Sequence, residues 1–142
     1  MQEYRNIYQI ARETSGLTQE RAAELFNISV ESLRSYETDR RIPQDSTVLK
    51  MIEVYGTPFL AMQHLRKSAL GEKYIPEVEQ KDLAIAVLNF LNECSDLENI
   101  KNLMIKISAD NKIDESEKED WNHVLEEVNG IISAGITLRF VK

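Results

Sequence analysis

Apolar residues recur three and four positions apart along most of this chain, and few glycines or prolines interrupt them, so the pattern predicts helices nearly throughout. Tyr4, Ile7, Tyr8, Ile10 and Ala11 make a first stripe that stops before Gly16. Thr18 is placed to cap a second helix, Q-E-R-A-A-E-L-F, although Arg21 stands where a capping box would hold Glu or Gln. In the short N-I-S turn, Asn27 suits a left-handed residue and Ser29 suits the cap of a third helix. Beyond Pro43, Val48, Leu49, Ile52 and Tyr55 give a fourth inward face that ends at Gly56. Thr57 and Pro58 mark the start of a fifth helix, T-P-F-L-A-M-Q-H-L, because proline's missing N–H costs nothing in a first turn.

The segment L-G-E-K-Y-I-P, residues 70–76, reads as a linker. After it, residues 77–94 carry Val78, Leu83, Ile85, Val87, Leu88, Phe90 and Leu91 on more than one face, which predicts a helix covered on several sides. Ser95 with Glu98 forms a capping box that predicts a new helix bearing Leu97, Ile100, Leu103, Met104 and Ile107. Asp114 with Glu117 forms another, ahead of a stripe of Trp121, Val124, Leu125, Val128 and Ile132. The tail G-I-T-L-R-F-V-K alternates like a strand but has no partner strand, and it reads as a frayed helical end or a docking tail. The fold class is therefore all-α. The expected organisation is a domain over 1–69, the linker at 70–76, and an acidic helical domain over 77–142 for dimerisation or partner binding.

Charge divides the chain at the same place. The net charge is −7, but residues 1–73 hold ten Lys+Arg and ten Asp+Glu, whereas residues 74–142 hold seven and fourteen, so the acidity belongs to the second half (7 − 14 = −7). A neutral first half binds phosphates only if its cations gather on one face, and its weak field makes that binding salt-sensitive. No run reaches the length of a membrane span, and M-Q-E-Y-R-N lacks a signal peptide's layout, so a cytoplasmic protein without membrane contact is expected. The single cysteine, Cys94, lies in an apolar run and reads as a buried reduced thiol.

The order of residues from Leu17 to Pro43, L-T-Q-E-R-A-A-E-L-F-N-I-S-V-E-S-L-R-S-Y-E-T-D-R-R-I-P, places a short turn between two helices. Leu17, Thr18, Gln19, Ala23, Leu25, Ile28, Ser29, Leu33, Glu37, Arg41 and Pro43 fall in a register that resembles the Cro and phage-repressor family of helix-turn-helix DNA-binding domains. The resemblance covers residues 4–68 and implies a five-helix domain that docks its third helix in the major groove. Ala23 is small where two helices cross closely, and Ile28, Leu33 and Tyr36 read as core. By resemblance, Val30, Glu31, Arg34 and Ser35 face the bases, and Gln19, Ser29, Thr38, Arg40 and Arg41 face the DNA backbone. Arg34 suits a bidentate pair with guanine, Glu31 can accept from a cytosine amine, and Val30 can touch a thymine methyl. The sequence departs from the family pattern at two glycines, replaced by Asn27 and Asp39, and Asp39 brings a negative charge near the expected phosphate path.

His64 and His123 lack the paired spacing of metal ligands, and 110–117 lacks the charges of a calcium loop, so neither metal nor cofactor is expected. No nucleophile set, glycine-rich phosphate loop or paired carboxylates point to an enzyme. The expectation is a sequence-specific transcriptional regulator of phage-repressor type that binds double-stranded operator DNA as a homodimer. Two alternatives stay open: an antitoxin whose acidic half masks a basic partner protein, and an interaction module that has lost DNA binding.

Overall fold

The computed structural model describes residues 4–142; Met1 to Glu3, with which the expected domain 1–69 and the stretch M-Q-E-Y-R-N begin, lie outside the described residues. The chain divides into two compact units, one ending at Ile75 and the other spanning Pro76–Lys142. No residue among those described is in a strand.

In the first unit, polar side chains open the helices where the sequence places them. Asn6 accepts from the backbone N–H groups of Tyr8 and Gln9 to start α1 (Ile7–Thr14). Thr18 accepts from Arg21 N to start α2 (Gln19–Phe26), and Ser29 accepts from Ser32 N to start α3 (Val30–Glu37). Each bond satisfies one of the orphan donors of a helix N-terminus and contributes about 1 kcal/mol. Asn27 closes α2 in the left-handed conformation, φ 56°, as its family-glycine position requires. α4 (Asp45–Tyr55), α5 (Leu60–Arg66) and α6 (Ala69–Tyr74) complete the unit.

These helices enclose one core of Tyr8, Ala22, Ala23, Phe26, Leu33, Tyr36, Val48, Met51, Tyr55 and Leu60. Leu49, expected inward, is exposed, and Met51 is buried in its place. The inward stripe of α4 runs 48–51–52–55, and Leu49 sits about 100° round the helix from it. α5 starts later than Thr57 and Pro58 predict, after a turn in which Leu60 N donates to Thr57 O at 3.1 Å. The expected linker is helical as far as Tyr74, because Ser68 caps α6 by accepting from Gly71 N at 2.9 Å. Gly71 lets α6 approach α5: a Cβ there would come within 1.8 Å of the Leu65 carbonyl oxygen.

Two charged residues lie inside this unit. Arg12 of α1 and Glu37 of α3 are 7% and 3% exposed and form a bidentate pair, Nε–Oε1 2.6 Å and Nη2–Oε2 3.1 Å. Arg12 Nη1 also donates to Leu17 O at 2.7 Å, and the Gln19 amide donates to Glu37 Oε2 at 2.7 Å. The pair therefore joins α1, the following turn, the start of α2 and the end of α3. Nearby, Tyr55 is buried edge-on against Phe26, and its hydroxyl finds no hydrogen-bond partner. Burial, then the Glu37 charge, pushes that phenol well above its ordinary pKa.

The second unit is a hairpin of α7 (Leu83–Ile107) and α8 (Lys118–Thr137). Helix begins at Leu83 rather than residue 77, after a stretch without secondary structure whose Val78 is buried. The predicted break at Ser95 does not occur, and α7 continues through it. The Ser95 hydroxyl donates to Leu91 O at 3.0 Å, a back-bond within the helix that competes with capping. The second predicted box does form: Glu117 N donates to Asp114 Oδ1 at 3.1 Å, and Asp114 N to Glu117 Oε2 at 3.2 Å. Of the α8 stripe, Val124 is buried, whereas Leu125 and Ile132 are exposed, since one facing helix cannot cover the whole stripe. Cys94 is half-buried rather than buried, and it is a free thiol. The alternating tail continues α8 and ends in a 3-10 turn, Leu138–Phe140, after which Lys142 N donates to Lys81 O. No helix among the described residues is long and apolar enough to cross a membrane.

Arg12→Ala would leave Glu37 buried and unpaired, which costs about 3–5 kcal/mol. Tyr55→Phe would remove an unsatisfied hydroxyl and is expected to be neutral or stabilising by about 1 kcal/mol. Urea denaturation at neutral pH checks both, and comparable losses from the two substitutions would contradict this account.

Candidate nucleic-acid interface

The two sides of α3 differ sharply. Leu33, Tyr36 and Glu37 face inward, and Glu31, Arg34 and Thr38, three and four residues apart, face out. Ser29 is exposed at the cap, where its hydroxyl lies 2.9 Å from that of Ser32. Of the four expected base-facing residues, Glu31 and Arg34 are on the outer side and Val30 is half-buried against the core. Ser35, expected to face the bases, is instead buried, and its hydroxyl donates to Ser32 O at 2.7 Å. Helical period alone turns Ser35 outward, but the chain folds back after α3 and Arg41 N donates to Ser35 O at 3.1 Å.

The expected backbone-facing residues are also partly engaged. Gln19 is half-buried with its amide on Glu37, so its orientation is set by the buried pair. The Thr38 hydroxyl is exposed and donates to Arg34 O at 2.8 Å, and its oxygen keeps its capacity to accept. Arg40 and Arg41 are exposed, and Arg41 lies over the Tyr36 ring at 5.7 Å.

The acids of this region separate into two groups. Glu31 is exposed and holds Arg34 Nη1 at 3.0 Å and Arg40 Nη1 at 3.9 Å. Glu37 belongs to the buried pair. Asp39 occupies the second family-glycine position with φ 57°, a left-handed conformation that Asp tolerates better than most residues. Its carboxylate accepts from Lys67 Nζ at 2.6 Å, Tyr4 Oη at 2.8 Å and Asn6 Nδ2 at 3.0 Å. Burial alone would raise the Asp39 carboxyl, but the hydrogen bonds from Lys67, Asn6 and Tyr4 outweigh it and hold it below its ordinary range. Asn6 in turn donates to Tyr36 O at 2.6 Å, so one buried side chain caps α1 and ties down the end of α3.

Arg12, Asn6 and Lys67 were not singled out by sequence pattern. The available signal was Arg12 on the α1 stripe, four residues after Tyr8. His64, read as isolated, bridges Tyr8 Oη at 2.7 Å and Asp45 Oδ1 at 3.0 Å. Burial, then the Asp39 charge, pushes the Tyr8 phenol up to about 12. In the second unit, Glu93, Asp96 and Glu127 bring carboxylate oxygens within 4.8 Å of one another. That clustering joins α7 to α8 across some thirty residues of sequence and has no local motif.

A capped α2, a left-handed turn residue and an α3 with a polar outer side, locked to α1 and α2, are the parts of a helix-turn-helix DNA-binding domain. Residues 9–61 match the helix-turn-helix family model of the Cro/C1 type; the part of the chain beyond the match is unassigned. The chain is 33% identical over 79 residues to the HTH-type transcriptional regulator ImmR of Bacillus subtilis (strain 168). That alignment covers 56% of this chain and 57% of the relative, so the likeness spans little more than half of each. No solved structure matches the chain.

The low Asp39 pKa carries a stability signature. The contribution is complete above the ordinary carboxyl pKa of about 3.9 and is lost as pH falls through the lower folded-state value. Urea midpoints of the protein and of Asp39→Asn, measured from about pH 7 to pH 2.5, should differ at neutral pH and converge toward the acid end. A constant difference across that range would show that the Asp39 charge is not the source.

Proposed function

We propose that this chain is a sequence-specific transcriptional regulator of phage-repressor type that binds operator DNA as a homodimer, with α3 in the major groove. The observation that carries the reading is the outer stripe of Glu31, Arg34 and Thr38, continued by Arg40 and Arg41, while Glu37 and Asp39 turn away from it. Among these positions three arginines stand with Glu31, and the other exposed acid, Asp39, is held by Lys67, Tyr4 and Asn6. The ImmR relative, named a transcriptional regulator, supports the same reading.

Arg34 is the base reader: its guanidinium reaches a guanine O6 and N7 bidentately, worth about 1–3 kcal/mol of discrimination. Glu31 holds Arg34 and Arg40 in the free protein, and DNA must exchange that carboxylate for bases and phosphates. Glu31 then accepts from a cytosine amine or turns to solvent. Gln19, Ser29, Thr38, Arg40 and Arg41 take the flanking phosphates and set the register of α3. Two copies place two such helices on half-sites about 34–36 Å apart, which offsets the weak field of one neutral domain. This is a binding role in the cytoplasm, without catalysis.

The pairing of Glu31 with two arginines also favours a second reading, a helix-turn-helix kept for protein contact. A binding selection from random and genomic DNA separates the two. The wild-type protein should enrich a palindromic motif at low salt, and Arg34→Ala should lose preference at one position of each half-site. Glu31→Gln should bind all DNA more tightly, by several-fold to about tenfold, through the arginines it releases. Enrichment of no motif by the wild-type protein would rule out the regulator.

A further inference from the structure

We infer that the outward side of α7, built from Ala84, Val87, Leu88 and Leu91, is the surface on which a second copy of this chain docks; the inference rests on the dimeric reading above and names the contact. The inner side of the helix is already occupied by α8. Ala86 is fully buried there, and the Phe90 ring lies 3.6 Å from where a Cβ on Gly135 would stand. The opposite side points to solvent, with Leu88 67% and Leu91 56% exposed. Spacings of three and four residues align these side chains along about two helical turns.

The occupant follows from core size, charge and area. From Pro76 to Lys142 the buried apolar residues are Val78, Ala86, Ile100, Ile107 and Val124, a core too small for a hairpin to stand on without further burial. The same segment carries a net charge of 7 − 14 = −7, so two copies repel wherever their acids meet. Residues 83–92, L-A-I-A-V-L-N-F-L-N, contain no charge at all. This stretch is where a like-charged copy approaches without penalty, and an isologous contact needs only that one self-complementary patch. A basic partner protein would instead seek the acids that this stripe lacks. With Leu83 at its end and polar neighbours at its rim, the stripe offers on the order of 500 Å² per protomer, so a symmetric pair reaches the roughly 1,000 Å² of a specific interface.

Sedimentation equilibrium on the full chain tests this, with circular dichroism to verify helix content. The wild-type protein should be a dimer, and Leu88→Glu or Leu91→Glu should weaken self-association by about a hundredfold or more, as expected for loss of a central anchor from both copies. Ile132→Glu, an equally drastic change at an exposed apolar position of α8, should remain dimeric. Hydroxyl-radical footprinting of the unmodified protein reads the same surface without a variant: Leu88 and Leu91 should become protected as concentration rises through the dimerisation range. A dimer that survives Leu88→Glu and Leu91→Glu, or shows no protection of these residues, overturns the assignment of the surface and leaves the regulator intact. A wild-type chain that stays monomeric at about 100 µM overturns the second-copy occupant, and the DNA selection then judges the regulator separately.

Discussion

The first unit depends on the ion pair between Arg12 and Glu37. Removing both charges from water costs several kcal/mol per ion, and geometry recovers it here: two guanidinium–carboxylate hydrogen bonds, with Leu17 O and the Gln19 amide taking up further donors and acceptors. An apolar pair could fill the same space and slide by a fraction of a turn. A bidentate fork cannot, so it fixes the rotation of α3 against α1 and α2. That rotation decides which residues of α3 meet solvent, and the outer stripe of Glu31, Arg34 and Thr38 follows from it.

The same contact resolves what the net charge leaves open. A neutral first half seems a poor partner for phosphates only if its acids and cations are mixed on the surface. Glu37 is inside, and Asp39 is turned onto Lys67, Tyr4 and Asn6, so two of the three acids of α3 and the turn after it are held by groups from other parts of the first unit. On α3 itself Glu31 remains with the arginines, while Glu20 at the start of α2 also feels the Arg34 charge; the Glu31 pairs are solvent-exposed, the kind of contact worth at most about 1 kcal/mol. Phosphates can displace so weak a clamp, whereas they could not displace the buried pair.

The helix-turn-helix was legible because its determinants are local. Thr18, Asn27 and Ser29 act within three residues of themselves, and Ala23, Leu33 and Tyr36 announce burial by size and spacing. The reciprocal Asp114–Glu117 box was legible for the same reason. The failures involve partners distant in sequence or competing local bonds. Arg12 and Glu37 are twenty-five residues apart, and either one alone looks like a surface charge. Ser35 reads outward until the returning chain at Arg41 covers it. Ser95 and Glu98 make a valid capping pattern, yet with no helix-breaking residue between Leu83 and Ile107 the continuous ladder prevails, and Ser95 bonds back to Leu91.

These constraints bear on how a domain with so few cations could hold DNA. On the proposed reading each protomer brings Arg34, Arg40 and Arg41 to one duplex, and three phosphate or base contacts give only a shallow electrostatic attraction. Linking two such domains through a common surface makes the second contact intramolecular, at an effective concentration that can reach millimolar, and avidity rises without any new residue. In that proposed dimer the acidic second unit would serve two ends. Its charge of −7 opposes unspecific adhesion to a polyanion, and in the proposed dimer the uncharged first turns of α7 would confine self-association to one patch. If affinity rests on paired half-sites rather than on total charge, a wrong half-site has little to compensate it, and the proposed discrimination falls to Arg34 and spacing.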